Sequence, residues 1–296
     1  MDDASILLAG GTGNLGGRMA RSLLARGARV TAIVRHGTAP DKLERLRKPG
    51  VTIADVDFND VSRLTEACSG ASCVVSALAG LRAVIVDAQT RLLDAAIAAG
   101  VPRFIPSDYS IDFTRLPAGT NRNLDLRRDF HGRLDKAKIA ATSILSGGFA
   151  ELLTGQAPII LFRLKRVVYW ENADQRMDFT TVDDTAAFTA AAALDPSTPR
   201  LLRIAGDQVS ARELATIASE ATGEKFRLLR AGGLGRLETL IKVMRVLPDG
   251  GALYPPWQGM QYLHNMFSGR AKLEPLDNDR YPGMRWTTAR QVLAAR

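Results

Sequence analysis

The chain opens with Gly10-Gly11-Thr12-Gly13-Asn14-Leu15-Gly16, where two glycine spacings overlap, Gly11-x-Gly13-x-x-Gly16 and Gly10-x-x-Gly13-x-x-Gly16. Glycines at such intervals suit the grip of a diphosphate. A side chain at the turn would hold the backbone away from the ligand, and the N–H groups and dipole of a following helix face two negative charges. Farther on, Arg35 closes a β-branched run with no acid beside it. An Asp or Glu at that place takes the ribose hydroxyls of NAD, whereas an Arg takes a 2′-phosphate in bidentate fashion. The expected cofactor is therefore NADP(H). The other reading, a glycine-rich turn without a ligand, fits less well with Arg35 where it stands.

These residues need a frame to hold them. Ile6–Ala9 is too short for a helical pattern and reads as a buried strand running into the glycines; a helix with Leu15, Met19, Ala20, Leu23 and Leu24 on one face follows and stops at Gly27. Strand, glycine turn and helix are the context that lifts the motif above chance. Alternation then continues: strand 29–34, helix 41–47, strand 51–54, helix 61–68, strand 73–78, a long helix 84–99, strand 103–106, helix 124–138 and strand 142–145. That rhythm predicts an α/β fold, a Rossmann-type doubly wound parallel sheet, with ligands at the carboxyl ends of the strands. Asp57, Phe58, Ala77, Leu78, Ser107 and Phe149 all fall at strand ends and join the glycines and Arg35 as candidate cofactor contacts.

Later in the chain, 167–170 and 177–182 read as a hairpin, Asp183 or Asp184 as the cap of an alanine-rich helix, and Ser210 with Glu213 as a capping box opening a helix that Gly223 closes. We expect residues 1–155 to form the NADP-binding domain, with 176–205 returning to it. Residues 156–175 and 206–296 would build a smaller α/β substrate lobe, aromatic around Tyr254–Tyr262.

The 296 residues carry 39 Lys and Arg against 31 Asp and Glu, a net charge of +8. Basic residues such as Arg122, Arg127, Arg128 and Arg133 are interleaved with Asp125, Asp129 and Asp135, the pattern of a solvated helix face, so nucleic acid is not expected as the main partner. Cys68 and Cys73, the only cysteines, give neither a metal set nor a disulfide framework, and no metal is expected. No apolar run is long enough for a bilayer. No secretory leader pattern opens the chain, so a cytoplasmic protein without membrane association is expected. No heptad or apolar stripe speaks for a particular oligomeric state.

The glycine turn, Val34-Arg35, the run Val101-Pro102-Arg103-Phe104-Ile105-Pro106-Ser107-Asp108-Tyr109 and the block Ile139–Ala150 together resemble the NmrA-like and isoflavone reductase-like branch of the atypical short-chain dehydrogenases. The resemblance covers the first half well and is looser beyond residue 155. It implies an NADP-binding Rossmann lobe and a smaller substrate lobe; some members reduce enone or aryl-ether substrates, and others bind the dinucleotide as regulators. The Tyr-x-x-x-Lys pair of ordinary short-chain dehydrogenases is absent. The Lys that isoflavone reductase-like members carry before strand six corresponds here to Arg127. A guanidinium can stabilise an oxyanion and transfers protons poorly. His131, one turn on, is the candidate titrating partner, with water as the other proton source.

Two readings follow. In one, the chain is an NADPH-dependent oxidoreductase of a small, largely apolar carbonyl or enone compound, with Arg127 as electrophile. In the other, it is a non-catalytic NADP(H)-binding redox sensor acting through a protein partner. The identity of the small-molecule substrate is not written in these residues.

Overall fold

A computed structural model describes residues 4–248 and 250–296. The apolar runs between glycines become the strands of one six-stranded parallel sheet: β1 (Ser5–Ala9), β2 (Arg29–Val34), β3 (Thr52–Asp55), β4 (Cys73–Ser76), β5 (Arg103–Ile105) and β6 (Ala140–Ala141), in the order β3-β2-β1-β4-β5-β6. A parallel sheet is covered on both faces, which is why Ile6–Ala9 and Cys73–Val75 are apolar without alternation and fully buried. Helices α1 (Asn14–Leu24), α2 (Pro40–Arg47), α3 (Val61–Cys68), α4 (Gln89–Ala98) and α5 (Arg122–Leu134) connect them. Leu7, Ile33, Leu64, Val74, Leu92, Phe104 and Phe130 share one core, each such side chain worth about 1.5–3 kcal/mol when buried. The strand order reverses between β1 and β4, so the crevice for a ligand opens at their carboxyl ends, where Gly10 and Ala77 lie.

Several expectations need correction. The helix after β4 is not uniform: Ala83–Ala88 forms a π-helical stretch before α4 begins at Gln89. The sixth strand is Ala140–Ala141 rather than 142–145. Thr142 still donates its N–H to Phe104 O, at 3.0 Å, but Ser143 donates to Arg200 O, at 2.9 Å. There β7 (Ser143–Leu145) leaves the large sheet and pairs with another strand. The hairpin is absent. After β8 (Gly148–Phe149) and β9 (Ile160–Leu161), strand β10 (Arg166–Trp170) joins β9 and a later strand, whereas β11 (Met177–Thr180) pairs with β8 in a different sheet. A register shift at Tyr169/Trp170 and the bond from Glu171 N–H to Gly232 O turn the chain away before it can double back.

Helix α6 (Val182–Leu194) is capped by neither aspartate: Thr181 Oγ1 accepts the Asp184 N–H, at 3.0 Å, and the Asp184 carboxylate takes the Thr287 N–H. Strand β12 (Leu201–Arg203) is the partner of β7, and β13 (Asp207–Val209) flanks β11. The Ser210–Glu213 capping box opens α7 (Ala211–Thr222), and Gly223, with φ of 70°, closes it. The strand β14 (Arg227–Gly232) beside β10 and the helices α8 (Leu234–Met244), α9 (Pro256–Phe267) and α10 (Ala289–Ala294) complete the chain.

Packing divides the chain into two compact units, one of Met1–Tyr109, Leu126–Ile144 and Thr185–Leu202, the other of Ser110–Asp125, Leu145–Asp184 and Arg203–Arg296. Residues 110–125 and 145–155 thus cluster with the second unit, whose core takes in Ile111, Phe113, Leu124, Leu145, Leu153, Phe179, Leu214 and Phe267.

Candidate cofactor and active site

Gly10 has φ of +86°, and a Cβ there would lie 2.5 Å from Ala77 O; one on Gly16 would lie 2.2 Å from Gly10 O. Both positions are therefore closed to any side chain, and the turn between β1 and α1 folds tightly against the end of β4. Gly13 is the N-cap of α1, in extended conformation, with no side chain capping the helix and no acid in its first turn. The first amides of α1 have no intrahelical acceptor. Glycine tightness and uncapped amides together fit the diphosphate of a dinucleotide.

A cavity of about 350 Å³ borders this turn. Gly11, Thr12, Gly13 and Asn14 line one side, and the basic side chains Arg18, Arg21, Lys42 and Arg45 approach from α1 and α2. Arg18 is tethered to Asn14 Oδ1, and Arg45 pairs with Asp41. Leu15 starts the buried face of α1 and is half-buried. Arg35 is exposed just past β2, on the same sheet edge as Gly10 by the parallel register Ala9↔Ile33. Asp57 is occupied by a local turn, its Oδ1 taking the Asn59 N–H and side-chain amide, while the half-buried Phe58 packs on the core. Ala77 donates its N–H to Ala9 O. Phe149 belongs to the second unit, on β8, where it pairs with Thr180.

The densest chemistry sits beyond β5. Ser107 is tied three ways: its N–H to Gln89 Oε1 (2.9 Å), its Oγ–H to Leu78 O (2.7 Å), and its carbonyl to Arg127 Nε (3.1 Å). The next residue, Asp108, is fully buried and accepts from His131 Nε2 at 2.6 Å. Two consecutive residues at the end of β5 thus clamp two consecutive turns of α5. Arg127 and His131 are brought together as expected, both buried.

Their roles differ. Arg200 sets a guanidinium nitrogen 3.2 Å from His131 Nδ1, donates to Ser143 Oγ and pairs with Asp135. A guanidinium only donates, so Nδ1 carries a lone pair, and the ring's single proton sits on Nε2, directed at Asp108. In this arrangement the His131 Nε2 proton is engaged by Asp108. Burial pushes the Asp108 carboxyl up, but His131, the Ser143 hydroxyl and the Arg127 guanidinium together outweigh it and leave it below the usual carboxylate range. Burial drives the Tyr109 hydroxyl far above its ordinary range, so it holds its proton near neutral pH.

Sequence reasoning missed Gln89, Ser143, Arg200 and Lys42. A polar Gln inside an apolar helix face and a Lys one turn into the helix after Arg35 were readable signals. Arg200, distant in sequence, offered none.

The NmrA-like family profile matches residues 2–252. The isoflavone reductase homolog IRL of Zea mays is 29% identical over 76% of this chain and 77% of its own length. Pinoresinol reductase 1 of Arabidopsis thaliana is 28% identical over 75% of each. The solved structure of AtPrR2 with NADP+ and (+)pinoresinol superposes with a TM-score of 0.85 at 21% identity, covering 100% of this chain and 99% of that one, a likeness of fold. On the family match over most of its length, this chain belongs to the NmrA-like family.

Proposed function

We propose that the protein is an NADPH-dependent reductase of the isoflavone reductase and pinoresinol reductase type, acting on a small phenolic, largely apolar compound with an electrophilic carbonyl or enone. The observation that carries this reading is the buried Arg127 guanidinium, seated on Ser107 O at the end of β5, on the same sheet edge as the uncapped glycine turn. Relatives named as reductases and a like fold holding NADP+ support it.

When bound, NADPH supplies the hydride. The Gly10–Gly16 turn and the first amides of α1 hold the diphosphate, and Arg35, with Lys42 and Arg21 at the rim of the cavity, holds the 2′-phosphate. The buried Arg127 guanidinium would neutralise the negative charge that reduction places on the substrate oxygen. Arg127 keeps its own proton, and the His131 proton is engaged by Asp108, so water completes the reduction.

A fluorescence titration with NADPH and NADH, on the wild type and Arg35→Ala, tests the nucleotide site. NADPH should bind more tightly than NADH, and Arg35→Ala should weaken NADPH about tenfold or more while sparing NADH, as expected for a lost charged hydrogen bond. Equal affinity for both nucleotides, or an indifferent Arg35→Ala, rejects the site. Turnover is then assayed with an isoflavone, a phenolic enone, as probe.

A further inference from the structure

Gln89 is fully buried in the first turn of α4, a polar side chain among Ile85, Leu92 and Leu93. Both ends of its amide are used, and by backbone alone. Nε2 donates to Ile85 O at 3.0 Å, and Oε1 accepts the Ser107 N–H at 2.9 Å. The π-helical stretch before it explains how. In an α-helix the Gln89 N–H would point to Ile85 O; here it points to Val84 O and Val86 O, and the Ile85 carbonyl receives the side-chain amide of the same residue. That bond fixes which way the amide faces, with its oxygen turned to β5. Single π turns inside helices recur at functional sites.

What the oxygen holds is the residue that seats Arg127. The Ser107 carbonyl can point in only one direction once its N–H is on Gln89, its hydroxyl on Leu78 O, and the Asp108 N–H on Pro106 O at 2.9 Å. Arg127 Nε lands on that carbonyl. We propose that Gln89 is a positioning residue: displayed by the π turn, it sets the direction of Ser107 O and through it the place of the Arg127 guanidinium. Its value for catalysis rests on the reductase reading; the geometry itself does not.

The test follows the Arg127 Nε–H by NMR in the full chain with nitrogen-labelled arginine, its signal identified by its loss in Arg127→Lys. In Gln89→Leu, which fills the space and makes no hydrogen bond, exchange of this proton with solvent should quicken about tenfold or more. Gln89→Glu keeps an oxygen for Ser107 and should stay nearer the wild type. A residue that merely packs would give the reverse order, since leucine suits an apolar core better than a carboxyl. The Arg35-dependent preference for NADPH over NADH should survive in both variants. Should the leucine variant fail to fold, Gln89→Met replaces it with the same expectation. Wild-type protection of Arg127 Nε–H in the leucine or methionine variant overturns the proposal. With an isoflavone as probe, kcat should fall with protection while KM for NADPH holds. If the wild type turns over no isoflavone, that speaks against the reductase reading, and the exchange order still decides the role of Gln89.

Discussion

Arg127 occupies a place where proton transfer and charge stabilisation would separate cleanly. A lysine there could do both; a guanidinium tied by Nε to a backbone carbonyl does only the second. Arg127→Ala should lower kcat by roughly a hundredfold or more, the loss of one oxyanion donor, with NADPH affinity kept within a few-fold. Steady-state rates beside a binding titration check this, and unchanged kcat would remove Arg127 from the chemistry. Arg127 was picked out before the structure because the Lys position of isoflavone reductase-like proteins falls on it, and His131 because helical spacing puts it one turn on. What His131 bonds was not recognisable: Arg200 and Ser143 reach it from the bend before β12 and from β7, which sequence spacing does not relate.

At the level of elements, short-range signals held and long-range pairing did not. β1, β2, α3 and the box opening α7 stand where their residues predicted, each being determined by its own periodicity, glycine stops or cap. The supposed hairpin failed because two alternating segments close in sequence found separate partners, β14 and β9 for one, β13 and β8 for the other, and pairing is decided by packing across the fold. The cap of α6 moved from an aspartate to Thr181 for a similar reason, Asp184 having a partner in Thr287. The glycine turn gives a sharp prediction. Gly16→Ala places a methyl carbon against the Gly10 carbonyl and should cost about 1–3 kcal/mol through forced displacement while abolishing NADPH binding. Gly132→Ala, on an open face of α5 with nothing near its Cβ, should instead gain up to about 1 kcal/mol. Paired thermal melts decide, and an innocuous Gly16→Ala would mean that the turn is slacker than drawn.

Over the whole molecule, no helix among the described residues is long and apolar enough to cross a membrane, and the same residues hold no cluster of metal-ligating side chains. Stability should carry the mark of Asp108. Its carboxyl titrates below the ordinary range in the folded chain, against the opposing effect of burial. Its contribution is therefore present at neutral pH and is lost as the pH falls through and below about 4. Asp108→Asn keeps an acceptor for His131 and discards the charge. It should lower stability at neutral pH by about 2 kcal/mol, roughly 4–8 °C in Tm, and flatten the decline between neutral pH and pH 4; a decline as steep as the wild type's would exonerate Asp108. Helix α1 has a wider consequence. It begins on a glycine that brings no acceptor of its own, so the missing cap must come from outside. By mass action, a dinucleotide that binds only the folded chain adds about 2.7 kcal/mol at a free concentration a hundred times its Kd. The lifetime of the protein against unfolding and proteolysis then becomes a gauge of how much cofactor surrounds it.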